Sequence, residues 1–221
     1  MPKFVSVKEA ASQVKDGMTV MIGGFLGCGN PHHIIDEIVK SGVKNLTIIA
    51  NDSPKTGYGL AKLIDNHQVK LLIASHVGMN QNVADQMNAG QMEVNLIPQG
   101  SLAEMVRAGG GGLGGIITPT GLATPVEESP WAHSKITIDG KEYLVMKPLH
   151  ADIALLEAHT VDKAGNCWFK GTSRNFNDLM ATAADTVIVE ANHVVEIGGI
   201  EPENVMAQGI LVKYVVDGGT L

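Results

Sequence analysis

The sixteen-residue run Asp16-Gly17-Met18-Thr19-Val20-Met21-Ile22-Gly23-Gly24-Phe25-Leu26-Gly27-Cys28-Gly29-Asn30-Pro31 constrains what this chain can fold into more than any other stretch. Met18 to Ile22 is apolar on both faces of a pleat, as a strand buried inside a parallel sheet should be. It runs into a loop with four glycines, and Pro31 then opens a helix to Lys40 with Gly42 just past its end. Strand, glycine loop and helix N-terminus are how α/β proteins hold an anionic group. The glycines permit positive φ and the close approach of a ligand or of another backbone. The helix end offers unpaired N–H donors and a positive dipole. The same elements also suit a tight turn that packs and binds nothing, and the residues alone leave both readings open.

The pattern then repeats. Leu46 to Ala50, Val69 to Ser75 and Val94 to Ile97 read as strands; Gly59 to Asn66, Asn80 to Asn88 and Leu102 to Ala108 read as helices. Together with Met18–Ile22 and its helix they make four βα units. The expected fold is therefore α/β, an open, doubly wound, mostly parallel sheet flanked by helices. Ahead of it, Ser6 to Lys15 reads as an amphipathic helix, with Ser6 and Glu9 spaced as a capping box.

The second half differs. Arg107 to Gly115 reads as a glycine-rich loop, and Lys135 to Ile138, Asp139-Gly140 and Glu142 to Val145 read as a β-hairpin elaboration on a tight turn. Ile153 to Ala158 and Thr186 to Glu190 are expected strands. Asn175 to Ala184 is an expected helix with Asn175 as its N-cap. No linker or repeat interrupts the chain, so residues 1–221 are read as a single domain.

Glycine makes up 26 of 221 residues, about 12% against a typical ~7%, and the excess falls mainly in two clusters that shape loops. The net charge is −7 with no basic run, so nucleic acid is not an expected partner. No stretch approaches the ~18 apolar residues of a membrane span, and no apolar segment follows Met1-Pro2-Lys3-Phe4 as in a secretory signal. Cys28 and Cys167 form no Cys-x-x-Cys motif, which points to a reducing, cytoplasmic setting.

Several chemistries lack their residues. A dinucleotide fingerprint would need a third glycine where Asn30-Pro31-His32 stands, and Asp52, near the position of a ribose-binding acid, does not repair it. No Gly-Lys-Ser/Thr or Gly-x-Ser-x-Gly occurs. His32-His33 is not part of a metal-ligand array, and no metal is expected. A nucleotide-binding oxidoreductase subunit and a non-catalytic α/β ligand-binding regulator remain the alternatives.

The sixteen-residue run also resembles the signature of the α subunits of family I coenzyme A transferases, of the acetate, acetoacetate and butyrate type. Pro98-Gln99-Gly100-Ser101-Leu102 resembles that family's Pro-Gln-Gly-Thr-Leu run. Arg107 to Ile116, Thr118-Pro119-Thr120-Gly121 and Ser173-Arg174-Asn175-Phe176-Asn177 resemble further blocks, so the likeness extends from Asp16 to about Glu190. It implies a ping-pong exchange in which a glutamate attacks an acyl-CoA. That glutamate lies in a Ser-Glu-Asn-Gly motif carried by a β subunit. This chain lacks the tetrad; its nearest dipeptide is Glu203-Asn204, inside Pro-Glu-Asn-Val. The resemblance gives Gln99 the role of supporting the acyl carbonyl oxygen. Gly23, Gly24, Phe25, Gly27, Gly29, Pro31 and Gly100 are the candidate substrate and CoA-binding positions. It also implies an α2β2 assembly acting on small carboxylic acids and acyl-CoA, with coenzyme A as substrate and no cofactor.

Overall fold

The computed structural model describes residues 1–220. A short strand β1 (Lys3–Phe4) leads into helix α1 (Val7–Ala11), where the Ser6 hydroxyl accepts the Glu9 N–H at 3.1 Å. Ser, Thr, Asn or Asp at this position typically stabilises a helix by ~1 kcal/mol over alanine. Four βα units follow: β2 (Thr19–Ile22) with α2 (His32–Ser41), β3 (Leu46–Ala50) with α3 (Ala61–Asp65), β4 (Val69–Ala74) with α4 (Gln81–Asn88), and β5 (Glu93–Leu96) with α5 (Gln99–Gly110). Next come β6 (Ile116–Thr118), β7 (Ala132–Ile138) and β8 (Lys141–Met146), then β9 (Ala151–Asp162), β10 (Cys167–Trp168), α6 (Asn177–Met180), β11 (Ala184–Val195) and β12 (Val212–Asp217).

The main sheet runs β1-β12-β11-β9-β2-β3-β4-β5 with every neighbour parallel, and β10 pairs antiparallel with β9. Alternation along the strands feeds two cores. Val20, Ile22, Ile48, Leu72 and Leu155 face α1, α2, α3 and α4, whereas Met21, Ile49, Ile73, Ala154 and Leu156 face α5, α6 and the small sheet. Burial on both faces is why these strands read as continuous apolar runs. The order reverses between β2 and β9: from β2 the chain builds outward to β5, and from β9 it builds outward the other way to β12. Ligands of open α/β sheets bind beyond the carboxyl ends of the strands at such a switch point.

The expected hairpin is present as β7 and β8, turning on Asp139 (φ 49°) and Gly140 (φ 76°), the positive pair a type I′ turn needs. It is part of a three-stranded antiparallel sheet, β6-β8-β7. Three expectations are corrected. Arg107 to Gly115 is not all loop, because α5 continues to Gly110. A Cβ on Gly109 would overlap the Leu149 carbonyl, and one on Gly110 the Thr182 side chain, so these glycines let other segments press against the helix. The helix expected over 175–184 is the single turn α6, and Asn175 is not its N-cap but a left-handed residue (φ 35°) just before it. Strand β12, in the last stretch of the chain, lies between β1 and β11 in the sheet, and local pattern did not reveal it.

Candidate functional site

The loop after β2 lies at the switch point, tied to β9 by the Gly23 N–H donating to the Leu155 carbonyl at 3.1 Å. It folds back as a tight hairpin in which Phe25 and Cys28 exchange N–H···O bonds of 2.9 Å. Side chains hold it from every side. Asn30 Nδ2 donates to the Gly23 carbonyl at 2.5 Å while its Oδ1 accepts the Leu60 N–H at 3.0 Å. Asn177 Nδ2 donates to the Gly29 carbonyl at 3.1 Å. His32 Nε2 lies 3.0 Å from the Gly27 carbonyl, which can only accept, so that nitrogen carries the proton. Burial holds the His32 pKa below its usual value, so the ring is neutral at pH 7, and it packs on Tyr58 with centroids 4.8 Å apart.

Asp52 is buried, and both its carboxylate oxygens accept the Leu26 N–H, at 3.0 and 3.1 Å. Burial pushes its pKa up, while the Leu26 bond and His76 oppose this. It is thus a fastener of the glycine loop, and the place a ribose-binding acid would take is already spent.

The glycines serve close approach by the protein itself. A Cβ on Gly23 would overlap the Asn177 amide. Gly24 has φ 110°, and a Cβ there would lie 2.8 Å from the Cys28 carbonyl oxygen and 2.9 Å from the Asn30 nitrogen. Gly27 and Gly29 are crowded in the same way by Tyr58 and Ser173, and Pro31, buried, is the N-cap of α2 rather than its first residue. What the loop offers outward is Phe25 (38% exposed) and Leu26 (42%) at its tip, with Cys28 beside them.

Gln99 is the first residue of α5 and is exposed, with Gly100 beside it. No side chain caps this helix, and nothing stands within 4 Å of where a Gly100 Cβ would be. The first backbone N–H groups of a helix have no partner within it, so Gln99 and these amides gather donors at one point of the sheet edge. A cleft of about 570 Å³, lined by Gly100, Ser101, Glu104, Arg107 and residues of the β6 arm, opens alongside. Arg107 pairs with Glu104 across one helical turn, as an ordinary exposed helix-end cation.

Two buried carboxylates that sequence reasoning did not single out sit beside the switch point, on β9 and β11. Glu157 and Glu190 are direct partners on β9 and β11, so they emerge on one face, the α2 side. Glu190 accepts the Ile34 N–H at 3.0 Å and lies 2.9 Å from His33 Nδ1, placing its charge at the α2 N-terminus. Glu157 accepts from Asn192 Nδ2. Burial pushes the Glu157 pKa to about 7; the Asn192 bond opposes this and the Glu190 charge adds to it. Asn51, by contrast, follows Ile49 to the α5 face, where Gln99 is. Glu203 is exposed on a surface turn.

The raised value has a consequence for stability. A carboxyl with a folded pKa above its unfolded one favours the folded state at low pH, and this is lost as pH rises toward the folded value. Glu157→Gln is therefore expected to melt higher than the parent at pH 8, and the gap should close by about pH 4.5, near the unfolded carboxyl value. Thermal unfolding at both pH values measures it; equal gaps at both would contradict the raised Glu157 pKa.

Among the described residues no group of three or more His, Cys, Asp or Glu is placed to hold a metal ion, and no helix is long and apolar enough to cross a membrane.

Comparison with known proteins agrees with this geometry. The family profile described as Coenzyme A transferase matches residues 4–218. The chain is 49% identical over 214 residues, 97% of each chain, to the acetoacetyl-CoA:acetate/butyrate CoA transferase alpha subunit of Clostridium acetobutylicum. It is 42% identical to the acetate CoA-transferase subunit alpha of Escherichia coli K12, over 97% of this chain and 96% of that one. Among solved structures, an E. coli O157:H7 acyl-CoA transferase in a thioester complex with CoA superposes with TM-score 0.86 at 23% identity. That match covers 97% of this chain, which spans only 47% of the longer one. Glutaconate coenzyme A-transferase from Acidaminococcus fermentans superposes with TM-score 0.84 at 19% identity, over 97% of this chain and 75% of that one. At these identities the structures speak for the fold alone. Neither the oxidoreductase nor the regulator alternative finds support, and on its sequence this chain belongs to the coenzyme A transferase family, as one of its α subunits.

Proposed function

We propose that this chain is the α subunit of a short-chain acyl-CoA:carboxylate CoA-transferase whose nucleophilic glutamate resides in a Ser-Glu-Asn-Gly motif of a β subunit. The observation that carries this is the 49% identity, over 97% of both chains, to an α subunit named for acetoacetyl-CoA, acetate and butyrate. The chain's own carboxylates support it from the other side. Glu157 and Glu190 are buried and engaged on the α2 face, away from Gln99, so neither is placed as a nucleophile opposite Gln99.

In the proposed reaction the partner's carboxylate attacks the acyl-CoA carbonyl, forming an acyl-glutamyl anhydride and expelling CoA thiolate. The thiolate attacks the glutamyl carbonyl of that anhydride, releasing the first carboxylic acid and leaving a glutamyl-CoA thioester. An incoming carboxylate repeats the two steps in reverse and leaves with CoA. Covalent catalysis divides one difficult exchange into easier ones. Each tetrahedral step puts negative charge on the oxygen of the attacked carbonyl, and Gln99 Nε2 with the α5 N-terminal amides is the donor set this chain contributes. Coenzyme A enters as substrate, with no metal or redox cofactor. We take the assembly to be α2β2 and cytoplasmic, consistent with the unpaired cysteines Cys28 and Cys167.

The test is reconstitution. The purified chain alone is expected to transfer no CoA between acetoacetyl-CoA and acetate, and addition of a β subunit should restore turnover. Robust transfer by the pure chain would overturn the two-subunit reading.

A further inference from the structure

Gln99 does not stand alone at the sheet edge. Its Nε2 donates to Asn51 Oδ1 at 2.8 Å, and Asn51, the first residue beyond β3, is buried. The Ser75 hydroxyl, at the end of β4, lies 2.6 Å from the Asn51 carbonyl oxygen and 3.0 Å from its Oδ1. On the other side, Asn51 Nδ2 donates to Asn175 Oδ1 at 3.2 Å, and that oxygen also accepts the Phe176 N–H at 2.7 Å.

The direction of this chain of amides is set from its far end. A backbone N–H can only donate, so the Asn175 atom facing Phe176 is the oxygen. That oxygen needs a donor from Asn51, so Asn51 turns its nitrogen to Asn175 and its oxygen to Gln99. An oxygen there in turn needs the NH2 end of Gln99. Three amides whose two ends are sterically alike are thereby locked into one orientation. The segment bearing Asn175 is held at a cost: φ of 35° is a left-handed conformation that an L-residue adopts rarely and that asparagine tolerates best. Strained residues of this kind gather at functional sites.

We infer that Asn51 is a positioning residue for Gln99, with Asn175 setting the orientation of Asn51 in turn. By accepting one Nε2 proton, Asn51 fixes which end of the Gln99 amide faces the acyl oxygen and leaves the second proton for it. Without that acceptor the Gln99 amide turns over freely and presents its own oxygen to the developing oxyanion for part of the time. The inference rests on the role proposed for Gln99. The competing account is that Asn51 only ties β3 to β4 and to the 171–176 segment, in which case it acts on stability and not through Gln99.

A double-mutant cycle on the α/β enzyme separates the two. kcat, KM for acyl-CoA and melting temperature are measured for the parent, Asn51→Ala, Gln99→Ala and the pair. Asn51→Ala is expected to lower kcat about tenfold or more, with KM within about threefold, the pattern of an interaction made in the transition state. In the Gln99→Ala background the same change should cost no more than about twofold, because residues acting as a unit are not additive. Multiplicative losses, or a parental kcat in Asn51→Ala, would overturn the inference. If Asn51→Ala does not assemble, Asn175→Gly gives the same information. Glycine accepts the left-handed backbone, so only the orienting oxygen is lost, and kcat should fall by a smaller factor that again vanishes in the Gln99→Ala background. Parental turnover by Gln99→Ala would instead remove the Gln99 role itself. A slow Gln99→Ala beside unimpaired Asn51→Ala and Asn175→Gly would sink only the positioning role.

Discussion

Gly24→Val should yield a chain without CoA-transferase activity, and one that melts well below the parent. The backbone at Gly24 sits at φ 110°, which no β-branched residue adopts without strain, and its Cβ would press on the Cys28 carbonyl oxygen and the Asn30 nitrogen. Both are backbone atoms of the hairpin that carries Phe25 and Leu26, so neither can swing aside. Backbone strain of ~1–3 kcal/mol and overpacking of ~1–3 kcal/mol together take a large share of the ~5–15 kcal/mol by which a domain is stable. Gly57→Ala is the control. Gly57 also has positive φ (78°), but nothing lies within 4 Å of its Cβ position, so it meets the backbone cost alone. A Gly24→Val enzyme that assembles and turns over normally would reduce the loop to a replaceable turn.

Gln99→Ala should behave in the opposite way, folding and assembling normally and catalysing poorly. Gln99 is exposed, and its side chain makes one hydrogen bond, to Asn51, which retains its contact with Ser75. The stability loss should stay near the ~1 kcal/mol of a typical hydrogen bond. The kinetic loss should be far larger, since removing one donor to a tetrahedral oxyanion typically lowers kcat by about 10²–10³, or ~3–4 kcal/mol. KM for acyl-CoA should move little, because the ground-state carbonyl carries less charge. Gln99→Glu should be at least as damaging, since it sets a carboxylate against both the oxyanion and the glutamate proposed on the partner. A kcat within about threefold of the parent is under ~1 kcal/mol of transition-state stabilisation and would refute the role.

How far the sequence could be read follows from which interactions are local. The four βα units were legible because Val20, Met21 and Ile22, and their counterparts in β3 and β4, must be apolar on both faces wherever the strands end up. Gly42 and Ser6 marked helix ends through their own backbone and side-chain chemistry. Gln99 follows β5 at the carboxyl edge of the sheet, where the strand–helix alternation places it. Strand β12 was not legible, because its place between β1 and β11 depends on pairing with residues at the other end of the chain. Gly109 and Gly110 looked like loop residues, when their lack of a side chain serves close packing against Leu149 and Thr182. Asn175 looks like a cap, whereas its oxygen accepts the next N–H and the amide of Asn51, just beyond β3 and 124 positions away. By sequence the glycine loop suits the close approach of a ligand or of another backbone. Its inner side is filled by Asn177, Tyr58 and Ser173, and only the assembled strand order shows which segments those are.

In the proposed reaction this chain shapes and stabilises transition states whose covalent step takes place on its partner. Intact masses of both subunits, recorded after the α/β enzyme is incubated with acetoacetyl-CoA and no acceptor acid, address it most directly. The expected result is the mass of CoA, less water, added to the β subunit through its glutamate, with this chain unchanged. CoA mass on this chain instead, whether at Glu157, Glu190 or Glu203, would contradict the account.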